Sequence, residues 1–279
     1  MPATGEAQNT GGFQTVLFRL LCRRRPVYVA SHERSGTHFA INTIFRNTYT
    51  HPRLTYVGDW LGPYDQPGTR TKHLDDFLQR WPGIRTGGGL IKTHADAKLF
   101  ARHFPEAPVV YVVRDPRDTL VSFFHYLNND ELYRTNPGIA DQRCRSFSEF
   151  LRRPASDYLR LGFFADPDFD NVVGRWASHV SGWIQRPGVC LVAYDDLKAD
   201  FRGCIRKICR SCGLLPRWNQ SPVGIGDAVS VLPRKGVSGD WRNVFSEEDL
   251  QFVRTEIGRR GLTLPAGNEP FRVSADSQL

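Results

Sequence analysis

Three short apolar runs, residues 27–30, 109–113 and 189–193, contain no charged residue. A strand with one wet face alternates polar and apolar residues, whereas an unbroken run is buried on both faces. Between these runs the apolar residues fall at helical spacing. Phe39, Ala40, Ile41, Ile44 and Phe45 follow the first run, and Val172, Trp176, Val180 and Trp183 precede the third. Pro116 suits the first turn of a helix reaching about residue 128. Residues 90–92 read as a further short strand, and 96–103 and 201–212 as helices, the latter closed by Gly213. Ser246 and Asp249 have the spacing of a capping box at the start of a late helix. Strands separated by helices predict an α/β fold with a doubly wound parallel sheet. Ligands of such sheets bind at the carboxyl ends of the strands.

Those ends are where the polar residues gather. The first run leads into Arg34-Ser35-Gly36-Thr37-His38, and residues 90–91 into Lys92-Thr93-His94. The 109–113 run leads into Arg114-Asp115-Pro116-Arg117-Asp118, with Ser122 further on, and the last run into Tyr194-Asp195-Asp196. Strand, small-residue turn and helix make a phosphate cradle, because the first helical N–H groups lack partners and the dipole there favours an anion. Gly36 allows close approach, Ser35 and Thr37 add hydroxyl donors, and Arg34 adds a permanent cation. The segment is not a standard P-loop: the Gly-Lys pair is absent and Thr37 follows Gly36 directly. Taken alone it is equally a plain strand–turn–helix joint. A fifth polar segment, Arg234-Lys235-Gly236-Val237-Ser238-Gly239-Asp240-Trp241, reads either as a solvated loop or as a flap laid on a phosphate.

The 279 residues carry a formal net charge of +8. The cations are scattered and no basic run exceeds Arg23-Arg24-Arg25, which does not point to nucleic acid. No apolar stretch is long enough for a membrane span, and the first residues lack the basic region of a secretory signal. The six cysteines have no framework spacing, which suits reduced thiols and a cytoplasmic location. Cys209 and Cys212 form a C-x-x-C without a second metal-ligand pair, so they read as small buried hydrophobes. Asp195-Asp196 reads as a helix N-cap in preference to a metal site; no metal is expected.

Four of these segments together resemble the signatures of the PAPS-dependent sulfotransferases, especially the cytosolic-type branch (PAPS is 3′-phosphoadenosine-5′-phosphosulfate). Residues 34–39 are similar to the 5′ loop, 114–122 to the R-x-P/A-x-D-x-x-x-S element for the 3′-phosphate, and 234–241 to the terminal R-K-G-x-x-G-D-W. Lys92-Thr93-His94 stands as the family's K-T-H. The resemblance spans roughly residues 27–262. It implies a P-loop-like nucleotide-binding sulfotransferase fold that moves a sulfuryl group from PAPS to a hydroxyl or amine acceptor and releases PAP. By the same resemblance, His94 is the general base, and Lys92 and Arg34 stabilise charge at the transferring group. The backbone of Ser35, Gly36, Thr37 and His38 holds the 5′-phosphate, and Phe39 stacks on adenine, with Tyr194 at its edge. Arg114 and Ser122 grip the 3′-phosphate from one side, and Arg234, Lys235 and Gly236 from the other.

The chain departs from the family at four places. Arg34 stands where the loop usually has Lys, and His38 where it has a small hydroxyl residue. The second adenine-facing aromatic has no clear match, Trp218 being a candidate, and the dimer motif after the terminal Gly-Asp-Trp is not preserved. One domain is expected over residues 13–265, between a disordered segment 1–12 and a loose tail 266–279. Phe123, Phe124 and Tyr126 read as core before acceptor pocket, and His125 and His179 as packing or surface residues. Trp60, Tyr64, Trp81 and Tyr133 lie in loop-like sequence and are candidates for a substrate mouth. The acceptor, a small molecule or glycan, is not specified by these motifs. Two other readings stay open: a nucleotide-dependent kinase, and a nucleotide-binding protein without catalysis.

Overall fold

The computed structural model describes residues 25–50, 52–57, 86, 88–135, 143–154, 169–217, 236–265, 269 and 271. Five strands form one parallel sheet: β1 (Val27–Ser31), β2 (Pro52–Val57), β3 (Leu90–Thr93), β4 (Val109–Val113) and β5 (Val189–Ala193), in the order β2-β3-β1-β4-β5. The helices are α1 (Thr37–Asn47), α2 (Ala97–His103), α3 (Pro116–Leu127), α4 (Asp130–Thr135), α5 (Phe147–Arg152), α6 (Val172–Ile184), α7 (Tyr194–Ala199), α8 (Phe201–Cys212) and α9 (Glu247–Gly258). A 3₁₀ turn at Asp240–Asn243 precedes the last helix.

The strand runs are unbroken because both faces are covered. Val27, Val29, Val110 and Val112 pack with Ala40, Ile41 and Ile44 of α1 and Ile205 and Ile208 of α8. Their alternate neighbours, Tyr28, Ala30, Tyr111 and Val113, pack on the other face with Phe100, Val121, Trp176 and Trp183. Fully burying each large side chain there contributes roughly 1.5–3 kcal/mol. This is the expected doubly wound sheet. The edge strand β2 escapes sequence reading because Pro52 opens it and polar residues interrupt it; Pro is tolerated at the start of an edge strand. Side-chain caps start α2, α3, α6 and α9 at Asp96, Asp115, Asn171 and Ser246, the last as a complete capping box. Among the described residues no helix is long and apolar enough to cross a membrane. The topology reverses between β1 and β4, and the crevice at their carboxyl ends is where such sheets bind ligands.

Candidate active site

The turn after β1 is left-handed at Arg34 (φ 65°) and Gly36 (φ 91°), and Ser35 N–H donates to His32 O at 3.3 Å to close it. α1 starts at Thr37 with no side-chain cap on its first N–H groups, which leaves them for an anion. Glycine is required at 36 for two reasons. Its φ disfavours any side chain, and a Cβ there would fall 2.5 Å from Tyr194 Cε2. Beneath the turn, Ser31 Oγ and Thr37 Oγ1 are 2.5 Å apart. Ser35 Oγ is buried without a hydrogen-bond partner.

β3 delivers Lys92 and His94 beside this cradle. His94 Nδ1 lies 2.7 Å from Ser31 O. A carbonyl only accepts, so Nδ1 carries the proton and Nε2 is the basic nitrogen of the neutral ring. Burial, reinforced by Lys92, holds the His94 pKa well below the usual histidine range. Lys92 Nζ donates to His38 Nε2 at 3.0 Å. Burial, with Arg34 adding repulsion, brings the Lys92 pKa down to about 8, against the opposing pull of Glu33.

β4 and α3 supply the other side. Arg114 donates to Arg34 O at 3.3 Å and to Val237 O at 2.8 Å, and its guanidinium lies 4.7 Å from the Tyr194 ring centre. Arg114 Nε is buried without a partner. Arg34 Nε reaches Ser122 Oγ at 3.4 Å, with its guanidinium 4.8 Å from the Tyr126 ring. Phe39 meets Tyr194 edge-on, with ring centres 5.4 Å apart.

Residues 236–241 are fastened over this crevice. Gly236 O accepts from Tyr194 Oη at 3.3 Å and from Lys198 Nζ at 3.0 Å, and Ser238 Oγ donates to Asp195. Asp118, itself buried, accepts from Gly239 N at 2.7 Å and Trp241 N at 3.4 Å. Arg117 lies 4.1 Å from the Trp241 ring centre while bonding Asp115 at 2.7 Å. The two signature segments are therefore directly connected, through Asp118 and Arg117.

Sequence reasoning missed the wall behind the cradle. Arg175, His179 and Trp183 form one stripe of α6 at four-residue spacing. Arg175 bonds both Glu33 oxygens at 2.6 Å and His32 Nε2 at 2.8 Å. His179 Nε2 donates to His94 O at 3.2 Å, and Tyr111 Oη to His179 Nδ1 at 2.9 Å. Trp183 Nε1 donates to Ala95 O at 3.1 Å. Burial, then Arg175, lowers His32 to about 3 and His179 to about 4. Burial alone would raise Glu33, but Arg175 wins and holds it well below the usual carboxylate range.

The sulfotransferase domain family matches residues 85–220. Over most of its length the chain is similar to sulfotransferases. It is similar to sulfotransferase 2A6 of Mus musculus, at 26% identity over 91% of this chain and 90% of that protein. It is 28% identical to sulfotransferase 2B1 of Homo sapiens over 56% of this chain, about half the length of that relative (46%). The fold resembles the crystal structure of a mouse sulfotransferase complexed with PAP, with a TM-score of 0.51, 22% identity and coverage of 87% of this chain and 88% of that one.

Of the expected site residues, the structure brings Arg34, Ser35, Gly36, Thr37, His38, Phe39, Lys92, His94, Arg114, Ser122, Tyr194 and Gly236 to this one crevice. Arg234 and Lys235 lie outside the described residues, as do Trp60, Tyr64, Trp81 and Trp218. Tyr133 sits in α4, not in a loop, and its hydroxyl donates to Leu127 O at 2.6 Å. Phe123 is core, Phe124 is packed against the core, His125 is exposed and His179 is buried. Asp195 and Asp196 do not cap α7: the helix begins at Tyr194, which puts both in its first turn, where they still complement the dipole. Burial pushes the Cys209 and Cys212 thiols up to about 11 and about 12, away from thiolate chemistry.

Proposed function

We propose that this chain transfers a sulfuryl group from PAPS to a hydroxyl or amine acceptor, with His94 as general base. The observation that carries the reading is the His94 tautomer. A proton-bearing Nδ1 fixed on Ser31 O leaves the basic Nε2 beside two cations and an anion-ready helix start. The residues fit the nucleotide. Ser35 Oγ and Arg114 Nε are buried polar atoms in need of partners, one in each half of the crevice, and a bisphosphate supplies acceptors for both.

When bound, the donor contributes a sulfuryl group attached to an anionic leaving phosphate. As the acceptor oxygen bonds to sulfur and the sulfur–oxygen bond to the phosphate breaks, the acceptor proton passes to His94 Nε2. Arg34 and Lys92 face the charge that builds on the leaving oxygen, and Arg keeps that charge at any working pH. His94 is neutral, hence in its basic form, at physiological pH; the donor's negative charge beside it favours the protonated ring and strengthens it as a base. His94→Ala should cut turnover about 10²–10⁴-fold while leaving PAP affinity unchanged. Loss of binding in equal measure makes His94 a structural residue. Failure of the unaltered protein to bind PAP, with ATP and Mg²⁺ bound instead, sinks the sulfotransferase reading in favour of a kinase.

A further inference from the structure

We propose that Arg175 of α6 is a positioning residue for the 5′ half of the nucleotide site, holding the left-handed Arg34 turn from behind through Glu33 and His32. This rests on the donor site proposed above. Arg175 comes from a helix remote in sequence, yet three of its side-chain bonds end on the two residues before Arg34. The bonding pattern is self-consistent. His32 Nδ1 lies 2.9 Å from Glu33 O, so it carries the proton, and Nε2 is left to accept from Arg175. One guanidinium thus fixes the Glu33 carboxylate and the His32 ring, and that ring fixes the Glu33 carbonyl.

The turn needs such support. Arg34 is the only non-glycine residue with positive φ among those described, a conformation that persists only where its surroundings determine it. Ser35 N–H to His32 O closes the turn, and Arg114 to Arg34 O holds its far side. Direction of the Arg34 side chain toward Ser122 and Tyr126 follows from that backbone. A buried ion pair is a poor device for stability, because the desolvation of both ions offsets most of their attraction. Apolar packing would have filled the same space. A planar fork, by contrast, fixes angles as well as distances.

Other titratable groups face this pair: His179 stacks edge-on against His32 at 5.6 Å between ring centres, and His94 and Lys92 lie within electrostatic range of Glu33.

The test uses two nucleotides. PAP engages both halves of the site, whereas adenosine 3′-monophosphate engages only the half built on Arg114 and Ser122. Arg175→Lys keeps the charge and loses the fork. It should weaken PAP binding and raise the KM for PAPS by about 10-fold to 100-fold, and leave adenosine 3′-monophosphate affinity unmoved. The Glu33→Gln/Arg175→Met pair removes both charges together, avoids a stranded ion, and should show the same selective loss. Equal weakening of both nucleotides, or no change in either, overturns the proposal. If the unaltered protein binds adenosine 3′-monophosphate no more weakly than PAP, the 5′ half is not a phosphate site, and the underlying functional reading fails first.

Discussion

Asp118→Ala should release the segment 236–241 from the crevice without unfolding the sheet. Asp118 accepts the Gly239 amide at 2.7 Å, a short bond to a carboxylate, and the Trp241 amide at a weaker 3.4 Å. A hydrogen bond to a charged group contributes about 1.5–3 kcal/mol. Gly239 is half-buried, so water recovers part of this, and roughly 2 kcal/mol is a reasonable net loss. That free energy corresponds to about a 30-fold rise in the open population of the segment. Asp118→Asn keeps one oxygen acceptor but gives up the charge; a loss near 1 kcal/mol predicts about a fivefold rise. Four other hydrogen-bond anchors remain: Arg114 on Val237 O, Lys198 and Tyr194 on Gly236 O, and Ser238 on Asp195. The change should therefore be local. Amide hydrogen exchange, resolved by peptide, reads it directly: faster exchange at residues 237–241, with the β1 and β4 amides unmoved, and PAP affinity falling by no more than the same factor. Equal acceleration in the strands would mean that Asp118 supports the core and not this segment. Unchanged exchange at 237–241 would refute the clamp altogether.

Gly36→Ala adds a side chain at φ 91° and drives it into the Tyr194 ring; it should abolish PAP binding and lower stability by roughly 2–4 kcal/mol, seen as a lowered denaturant midpoint. If charged Lys92 is needed, kcat should fall above pH about 8, and Lys92→Arg should remove that limb; a flat profile in the unaltered protein argues against the role. His32, His94 and His179 are buried with lowered pKa values, so the unfolded chain binds more protons than the folded one below the ordinary value of 6.5. Their stabilising effect is complete above that pH and is lost as pH falls toward the folded values, with a slope of up to about 4 kcal/mol per pH unit where all three titrate only in the unfolded chain. Urea midpoints measured from pH 7 to 4.5 check this, and a constant midpoint counts against the buried, neutral histidines.

The sheet and most of its crevice were legible because they rest on local rules. Val109 to Val113 reads as a doubly covered strand, and Ser246 with Asp249 announces its helix by capping chemistry. Gly36 was legible as a cradle glycine, although its contact with Tyr194, 158 positions away, was not. What escaped was the second layer. Arg175 and His179 sit in a helix whose apolar stripe of Val172, Trp176 and Val180 accounts for its burial. Nothing local says that Arg175, beside that stripe, points at a turn more than 140 residues earlier, or that His179 reaches the His94 carbonyl. The available hint was a charged residue beside Gly174 in an otherwise buried helix, since a buried Arg must have a partner.

That second layer changes how Arg34 should be understood. A mobile lysine at this position can seek the leaving oxygen, whereas an arginine must arrive with its plane already oriented. The chain meets this demand in three directions. Arg175 fixes the turn from behind, Arg114 holds the Arg34 carbonyl from the side, and Ser122 with Tyr126 receives the guanidinium in front. Lys92, held by His38, provides a further cation in the crevice beside Arg34 and Arg114. Two of the departures from the family pattern, Arg34 itself and the His38 that bonds Lys92, thus bear on the two cations that the proposed reaction would use at the transferring group. A rigid fork and a tethered lysine give up reach for orientation, and that suits a reaction whose catalysis is mostly the placing of charge.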